Sequence, residues 1–283
     1  MSIIDKSTGA TDFPAGTVAQ RPTGQKGMIR HNNDQSAIEY FNGTKWVGIG
    51  VPDGSSYANA APSAASIKGL TGTTINGFYW ILVNSVPTQV WCDMTNDGGG
   101  WMLASKTYSN NSRWTYNDND AWTGSSVFND SENPETYAGH IKTKIYTNMP
   151  FTNVRLACGT ISNGLVESTW SNATSFANFM TYTSNSSNSK TAWINWFTNA
   201  YGAPNPAANC NQIGTNKWYV YQAIRIGVNT NNENDCTSND NSFGWGSYGV
   251  SSGSRPWTND IAFGAFYGNN SDYKVGTGWI FVK

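Results

Sequence analysis

The chain has 283 residues and a formal net charge of −1 at pH 7, so it lacks the basic footprint expected of a nucleic-acid-binding protein. Charged residues make up only 12% of it, against about 25% in an average globular protein, while aromatic residues reach 14%. Asn, Ser, Thr and Gly supply the polarity instead, which is typical of a loop-rich extracellular surface. No stretch approaches the ~18 apolar residues of a membrane span, so we expect no membrane insertion.

The first 50 residues predict a small β-sheet that joins the chain to other molecules. Three short strands are predicted, at 28–31, 37–41 and 45–49. The Asn42-Gly43 pair between the last two is a typical hairpin turn. So small a sheet buries too little surface to be stable alone. We therefore expect residues 1–50 to assemble with copies of themselves, as a homotrimer.

Residues 51–65 are rich in Gly, Ser, Ala and Pro and predict a linker. The unit that follows, at 66–283, has many loops and few long elements, which favours the α+β class. Its strands are predicted at 78–84, 88–93, 218–226 and 278–282, and its helices at 168–183 and 192–197. The apolar run at 218–226 is continuous enough to be a central strand.

One hairpin organises the larger unit. It begins as a strand with Val90 and Cys92 on one face and Trp91 on the other. The glycine triplet at 98–100 can take positive φ without penalty and lets another segment approach its backbone closely. Trp101 then resumes an apolar strand, and we expect its ring to be buried where the turn folds back.

The same hairpin carries a resemblance to a known family. Its Cys-Asp-Met strand, Asp-Gly-Gly-Gly turn and following Trp resemble the hallmark of fibrinogen-like domains. The Asn-Gly-Phe-Tyr-Trp run at 76–80 looks like the opening of that family, where a short helix, here near 66–69, precedes the strand. The Phe-Gly-Trp-Gly-Ser-Tyr-Gly run at 243–249 is similar to the intelectin branch. The resemblance covers 64–283 and implies a loop-rich fibrinogen-like fold.

The N-terminal segment resembles a module that recurs in bacteriophage tail-fibre proteins. Three parts of that module are present: Ala-Gln-Arg-Pro at 19–22, Gly-Met-Ile-Arg-His-Asn at 27–32 and Asn-Gly-Thr-Lys-Trp-Val at 42–47. The resemblance implies a β-meander that attaches the chain to a virion. We favour a plain adaptor without a binding role of its own, because the segment has few unusual polar groups.

Asn, Asp and Glu residues crowd the stretch 229–241, and their oxygens are of the kind that Ca²⁺ takes as ligands. Judged from the residues alone, a solvated loop is the favoured alternative. The family resemblance reverses that preference and implies a calcium site in this loop. The candidate metal ligands are Asp235, Asp240, Glu233, Asn232 and Asn241.

Aromatic residues follow the loop and suit a saccharide, because an aromatic ring can pack on the apolar face of a sugar. The candidate ligand-binding residues are Trp245, Tyr248, Trp257 and Tyr267. Trp245 and Tyr248 match the intelectin-like run, and the resemblance implies that Trp245 lines the pocket. The alternative is that half or more of these rings belong to the core.

The four cysteines form no Cys-x-x-Cys pair, and only two histidines are present, so a zinc site is not expected. Four cysteines allow three pairings. Fibrinogen-like domains pair the cysteine of the hairpin with one just before the opening helix, and Cys92 has no such partner here. Cys210–Cys236 is the preferred disulfide, and the alternative is that all four stay reduced in a cytoplasm.

The combined expectation is a receptor-binding tail-fibre protein of a phage. An outward-facing composition without a secretion signal at the start fits a virion protein that folds in the host cytoplasm. The expected partners are a host-surface glycan and other tail or baseplate proteins. No enzyme is expected, because only His31 and His140 could serve a Ser or Cys nucleophile as base, and they lie in different predicted domains. The alternatives are a capsid-decoration or collar protein, and a capsule-degrading fibre.

Overall fold

Strands dominate the regular structure, which is a β-rich fold with several sheets and few helices. The computed structural model describes residues 13–34, 36–108, 112–204, 206–218, 222–237, 239–249, 261–267 and 274–283. The strands are β1 Ala15–Gly16, β2 Ile29–Asn32, β3 Ala37–Phe41, β4 Trp46–Gly48, β5 Gly77–Val83, β6 Val86–Asp93, β7 Trp101–Thr107, β8 Ile141–Lys142, β9 Val154–Cys158, β10 Thr160–Glu167, β11 Asn209–Trp218, β12 Gln222–Asn231, β13 Asn241–Gly249, β14 Ile261–Tyr267, β15 Lys274–Val275 and β16 Gly278–Val282. The helices are α1 Ala64–Thr71, α2 Asn119–Trp122, α3 Lys144–Asn148, α4 Phe176–Phe179 and α5 Lys190–Tyr201. In the part of the chain that is described, no helix is long and apolar enough to cross a membrane.

The first sheet, in the order β1-β2-β3-β4, confirms the three predicted N-terminal strands. Its inner face is polar. Glu39 is buried there and accepts from Arg21 at 2.7 Å and from Asn32 at 2.9 Å. Its outer face carries Ile29 and Tyr40, which are register partners and are 44% and 37% exposed. Soluble proteins usually bury their apolar side chains, so this sheet is unusual in having its apolar face outward.

The predicted linker is packed against the larger unit. Its backbone runs beside β5, where the Trp80 amide donates to Gly54 and the Ala61 amide donates to Trp80, both at 2.9 Å. The segment thereby covers the edge of β5. Helix α1 follows directly, with the Ser63 hydroxyl accepting from the Ser66 amide at its start. The short helix implied near 66–69 is therefore confirmed.

The second sheet has the order β10-β9-β16-β7-β6-β5, with β8 paired to β7. Strand β16 matches the predicted strand at 278–282 and lies between β9 and β7. Both faces of this sheet are covered, since Val90 and Cys92 point into the main core while Trp91 lies in a second, smaller core. The alternation predicted from the sequence is confirmed.

The glycine triplet brings three segments together at the head of this sheet. A Cβ on Gly99 would lie 2.1 Å from the Met94 carbonyl oxygen, and one on Gly100 would lie 2.9 Å from Cα of Ala65 in α1. Both glycines have positive φ, of +64° and +76°. Trp101 is buried, as expected, and its Nε1 donates to the carbonyl of Asn96 at 3.1 Å.

Two predicted elements are wrong. The apolar run at 218–226 is not one strand, because β11 ends at Trp218 and β12 begins at Gln222, with Trp218 paired to Ala223 across a hairpin. The predicted helix at 168–183 is reduced to the single turn of α4, since Phe176 and Phe179 fill the core from a mostly irregular segment. The helix predicted at 192–197 is confirmed within α5.

A row of four glycines crosses the third sheet, which has the order β11-β12-β13-β14-β15. The register places these glycines in line on neighbouring strands: Gly214, Gly227, Gly244 and Gly264. Gly227 and Gly244 have φ of +153° and +135°, which L side chains rarely adopt. A Cβ on Gly244 would lie 2.1 Å from the Ile226 carbonyl oxygen. Strands β12 and β13 therefore need glycine where they bend.

The third sheet folds back on itself along this glycine row. Five residues of an extended strand span about 16 Å, yet the hydroxyls of Ser242 and Ser247 share a hydrogen bond. Likewise, Nδ2 of Asn229 donates to the carbonyl oxygen of Lys217 at 3.3 Å, although the register pairs Asn229 with Gln212. Both contacts require a crease that brings the two ends of a strand towards each other.

Candidate functional site

The Asn/Asp-rich stretch forms a loop at 232–240 between β12 and β13, and a disulfide fixes its position. Cys236 in the loop is bonded to Cys210 on β11, which confirms the preferred pairing. Cys92 and Cys158 are buried free thiols, and burial raises the pKa of both well above the ordinary value. The loop is also held by Nδ2 of Asn231, which donates to the carbonyl of Asp235 at 2.7 Å.

The loop carboxylates accept hydrogen bonds from the loop itself. Asp235 accepts from the amide and the hydroxyl of Thr237 at 2.9 and 2.8 Å, and these bonds lower the pKa of its carboxyl. Asp240 accepts from the Asn232 amide at 2.9 Å. Glu233 is exposed, and Asn241 is half-buried at the start of β13. The structure thus places all five candidate ligands in one loop that a disulfide anchors to β11, or at the edge of that loop.

The donors in and around this loop suit calcium in kind. Among the described residues, no three His, Cys, Asp or Glu side chains lie close enough to hold a metal ion. A cation here would therefore depend on amide and main-chain oxygens as well as carboxylates, which is the mixture that Ca²⁺ accepts. Asn229, two residues before the end of β12, is fully buried and its Oδ1 accepts no hydrogen bond. A buried oxygen of this kind is costly unless an ion or water satisfies it.

Trp245 lies in the core, contrary to the expectation that it lines a ligand pocket. Its side chain has no exposed surface. Its ring stacks on Trp196 with centroids 5.6 Å apart and meets Phe263 edge-on at 4.5 Å. A ring that is enclosed by other rings offers no face to a sugar, so Trp245 is a packing residue.

Tyr248 is half-buried and belongs to an aromatic stack near the surface. Its ring is stacked on that of Tyr116, with centroids 6.0 Å apart. The guanidinium of Arg225 lies 4.5 Å from the Tyr116 ring centroid, and its Nε donates to the Tyr116 carbonyl at 2.8 Å. Of the other ligand candidates, Trp257 lies outside the described residues, and Tyr267 ends β14 with its side chain likewise outside them.

The crease shortens the distance between Asn241, at the edge of the loop, and Tyr248 in the aromatic stack. In an extended strand, Asn241 and Tyr248 would be about 23 Å apart. Because Ser242 and Ser247 share a hydrogen bond, the Cα atoms of Asn241 and Tyr248 are within roughly 15 Å. The oxygen-rich loop and the stack thus belong to one region of the third sheet.

Two residues of this region were not identified from the sequence. Arg225 sits in the run that predicted a single strand, and Tyr116 comes from a loop more than a hundred residues earlier. Neither carries a local signal, because only the packing of the 113–122 segment against the third sheet brings them together.

Compared with known proteins, the chain matches no family model and no curated protein.

Proposed function

We propose that this chain is a receptor-binding fibre protein of a phage virion. Its α+β, fibrinogen-like domain binds a host-surface glycan with the help of Ca²⁺ and does not cleave it. The observation that carries the proposal is the partly exposed stack of Tyr248, Tyr116 and Arg225 on the same sheet as a loop of oxygen donors that a disulfide anchors to β11. Of the predicted ligand-binding residues, Tyr248 is the one we propose as the glycan contact, because its ring is partly exposed while Trp245 is fully buried.

The chemistry of the stack suits a saccharide. A tyrosine ring offers an apolar face and a hydroxyl that can hydrogen-bond, and it loses little conformational entropy on binding. The Arg225 guanidinium holds Tyr116 in place and donates to Asn119 Oδ1 at 2.8 Å. A Ca²⁺ ion held by Asp235, Asp240 and nearby amide oxygens would order the loop and supply a positive charge for sugar hydroxyls.

The N-terminal sheet supports the proposed homotrimer. Ile29 and Tyr40 form an exposed apolar face, while Arg30 and Glu39 are buried behind it. Covering that face with copies of the same chain removes it from water, and several copies on one fibre strengthen weak single sites. Light scattering at micromolar concentration should give the mass of a trimer. An Ile29→Glu variant should be monomeric, and a monomeric parent protein would refute this assembly.

The calcium and glycan sites are tested with three variants. Asp240→Ala should lose both the thermal stabilisation by Ca²⁺ and glycan binding, because the loop loses a ligand and the contact to Asn232. That stabilisation is expected to be about 2.7 kcal/mol when Ca²⁺ is at a hundred times its dissociation constant. Tyr248→Ala should keep the calcium response and lose glycan binding. Tyr182→Ala is the matched control and should keep both, because this tyrosine is 58% exposed and, among the described residues, its hydrogen bonds to the third sheet use only its main-chain carbonyl.

Calcium titrations followed by differential scanning calorimetry, and glycan binding by calorimetry or array, give the two readouts. If Asp240→Ala keeps both properties, the loop is only a solvated turn. If Tyr248→Ala binds glycan as the parent protein does, the stack is not the binding platform.

A further inference from the structure

An open cleft lies along the β5–β6 hairpin of the second sheet. The cleft has a volume of about 370 Å³, within the roughly 300–1,000 Å³ of small-molecule sites. Its lining combines rings, aliphatic groups, amide and hydroxyl groups and two opposite charges: Phe78, Trp80, Val86, Pro87, Thr88, Gln89, Asp130, Ser131 and Lys144. It is built from the β5–β6 hairpin, the 130–131 turn and the start of α3, none of which belongs to the region described above.

The floor of the cleft continues the smaller core of the second sheet. On β5, Phe78 and Trp80 point away from the main core, because they alternate along the strand with Tyr79 and Ile81, which pack in it. Phe78 is the register partner of Trp91, a member of the smaller core. Trp91 is buried, whereas Phe78 is 37% exposed.

The rings at the floor are held in position. Trp80 meets Tyr57 edge-to-face, with centroids 5.4 Å apart, and its backbone is hydrogen-bonded to both Gly54 and Ala61. A fixed indole beside exposed apolar groups is a ready platform for the apolar face of a sugar ring, since little motion has to be frozen on binding.

The walls of the cleft carry two opposite charges that form no ion pair within the described part of the chain. Asp130 and Lys144 both line it, yet neither takes part in an ion pair of the described residues. Gln89 pairs with Trp80 in the register and is exposed. A carboxylate can accept from two neighbouring sugar hydroxyls, and an ammonium group attracts a ligand carboxylate.

From this combination we propose that the cleft is a second saccharide site, specific for sugars that carry a carboxylate, such as uronic acids. The ring stacks on Trp80, the hydroxyls donate to Asp130 and Gln89, and the ligand carboxylate binds Lys144. The site uses no residue of the 232–240 loop, so its binding is independent of calcium.

The test uses the intact protein with trigalacturonate and its fully methyl-esterified form as probes, followed by calorimetry or saturation-transfer NMR in a calcium chelator. We expect trigalacturonate to bind about tenfold more tightly than the ester. Lys144→Gln should remove that difference, while Lys45→Gln, at an exposed lysine just before β4, should not. Phe78→Ala, in the floor of the cleft, should weaken the binding of both probes.

Three results would overturn the proposal: no binding of trigalacturonate at millimolar concentration, equal affinity for acid and ester in the parent protein, or an unchanged preference in Lys144→Gln. Because the chelator is present throughout, these outcomes are independent of whether the calcium loop and Tyr248 bind a glycan. Lys144 is exposed, so its variant is expected to fold.

Discussion

Replacing Trp101 with alanine is expected to lower the free energy of unfolding by about 3–5 kcal/mol. The ring is 3% exposed and packs in the smaller core of the second sheet. Its Nε1 donates to the carbonyls of Asn96 and Asp97, so it also fixes the turn that carries the glycine triplet. Truncation leaves a cavity and removes one hydrogen bond from each of these carbonyls, and the Asn96 carbonyl keeps only the bond from the Gly99 amide.

Chemical denaturation of the parent and variant proteins measures this loss. The matched control is Trp218→Ala, because Trp218 is 68% exposed at the end of β11. Its replacement should change the free energy of unfolding by no more than about 0.5 kcal/mol. Equal effects of the two substitutions would show that the hairpin turn is not the structural centre of the domain.

Replacing Arg155 with methionine is expected to cost about 3–5 kcal/mol of stability, because it leaves a buried carboxylate without its charge partner. Arg155 on β9 and Asp93 on β6 are both fully buried, with Nη1 and Oδ2 3.3 Å apart. Arg155 Nε also contacts Asp97 in the glycine turn. Asp93 in turn accepts from the amides of Thr95 and Asn96, so the network joins the turn to the middle of the sheet.

The control for this substitution is Arg113→Met. Arg113 pairs with Asp118 and Asp120, but its side chain is 36% exposed, and surface ion pairs contribute about 0–1 kcal/mol. The two variants are compared by urea denaturation at neutral pH. A cost for Arg155→Met no larger than that for Arg113→Met would mean that the buried network does not hold the turn in place.

Local patterns were enough to predict the hairpin. The alternation of Val90, Trp91 and Cys92 predicts two covered faces, because successive residues of a strand point to opposite sides. The glycine triplet predicts positive φ and a close approach, and the structure gives Ala65 of α1 as the approaching segment. These features depend on neighbours in sequence, which is why they could be read from it.

The third sheet shows what local patterns miss. An apolar run at 218–226 fits one buried strand as well as the ends of two, and hydrophobicity alone does not mark the turn. The burial of Trp245 depends on its stacking against Trp196, which lies in α5 almost fifty residues earlier in the chain. The stack at Tyr248 depends on Tyr116 in the same way. Contacts between residues far apart in the chain decided which aromatic side chains reach the surface.

The most direct test of glycan adhesion mixes the intact protein with purified surface polysaccharide of the host bacterium, in calcium and in a chelator. Two quantities are measured, the protein retained on the polysaccharide and the reducing ends released from it. The proposed function predicts retention in calcium, at least a tenfold loss of retention in the chelator, and no release of reducing ends. Release of reducing ends would instead indicate a capsule-degrading fibre, and absence of retention in calcium would indicate a structural virion protein without a receptor role.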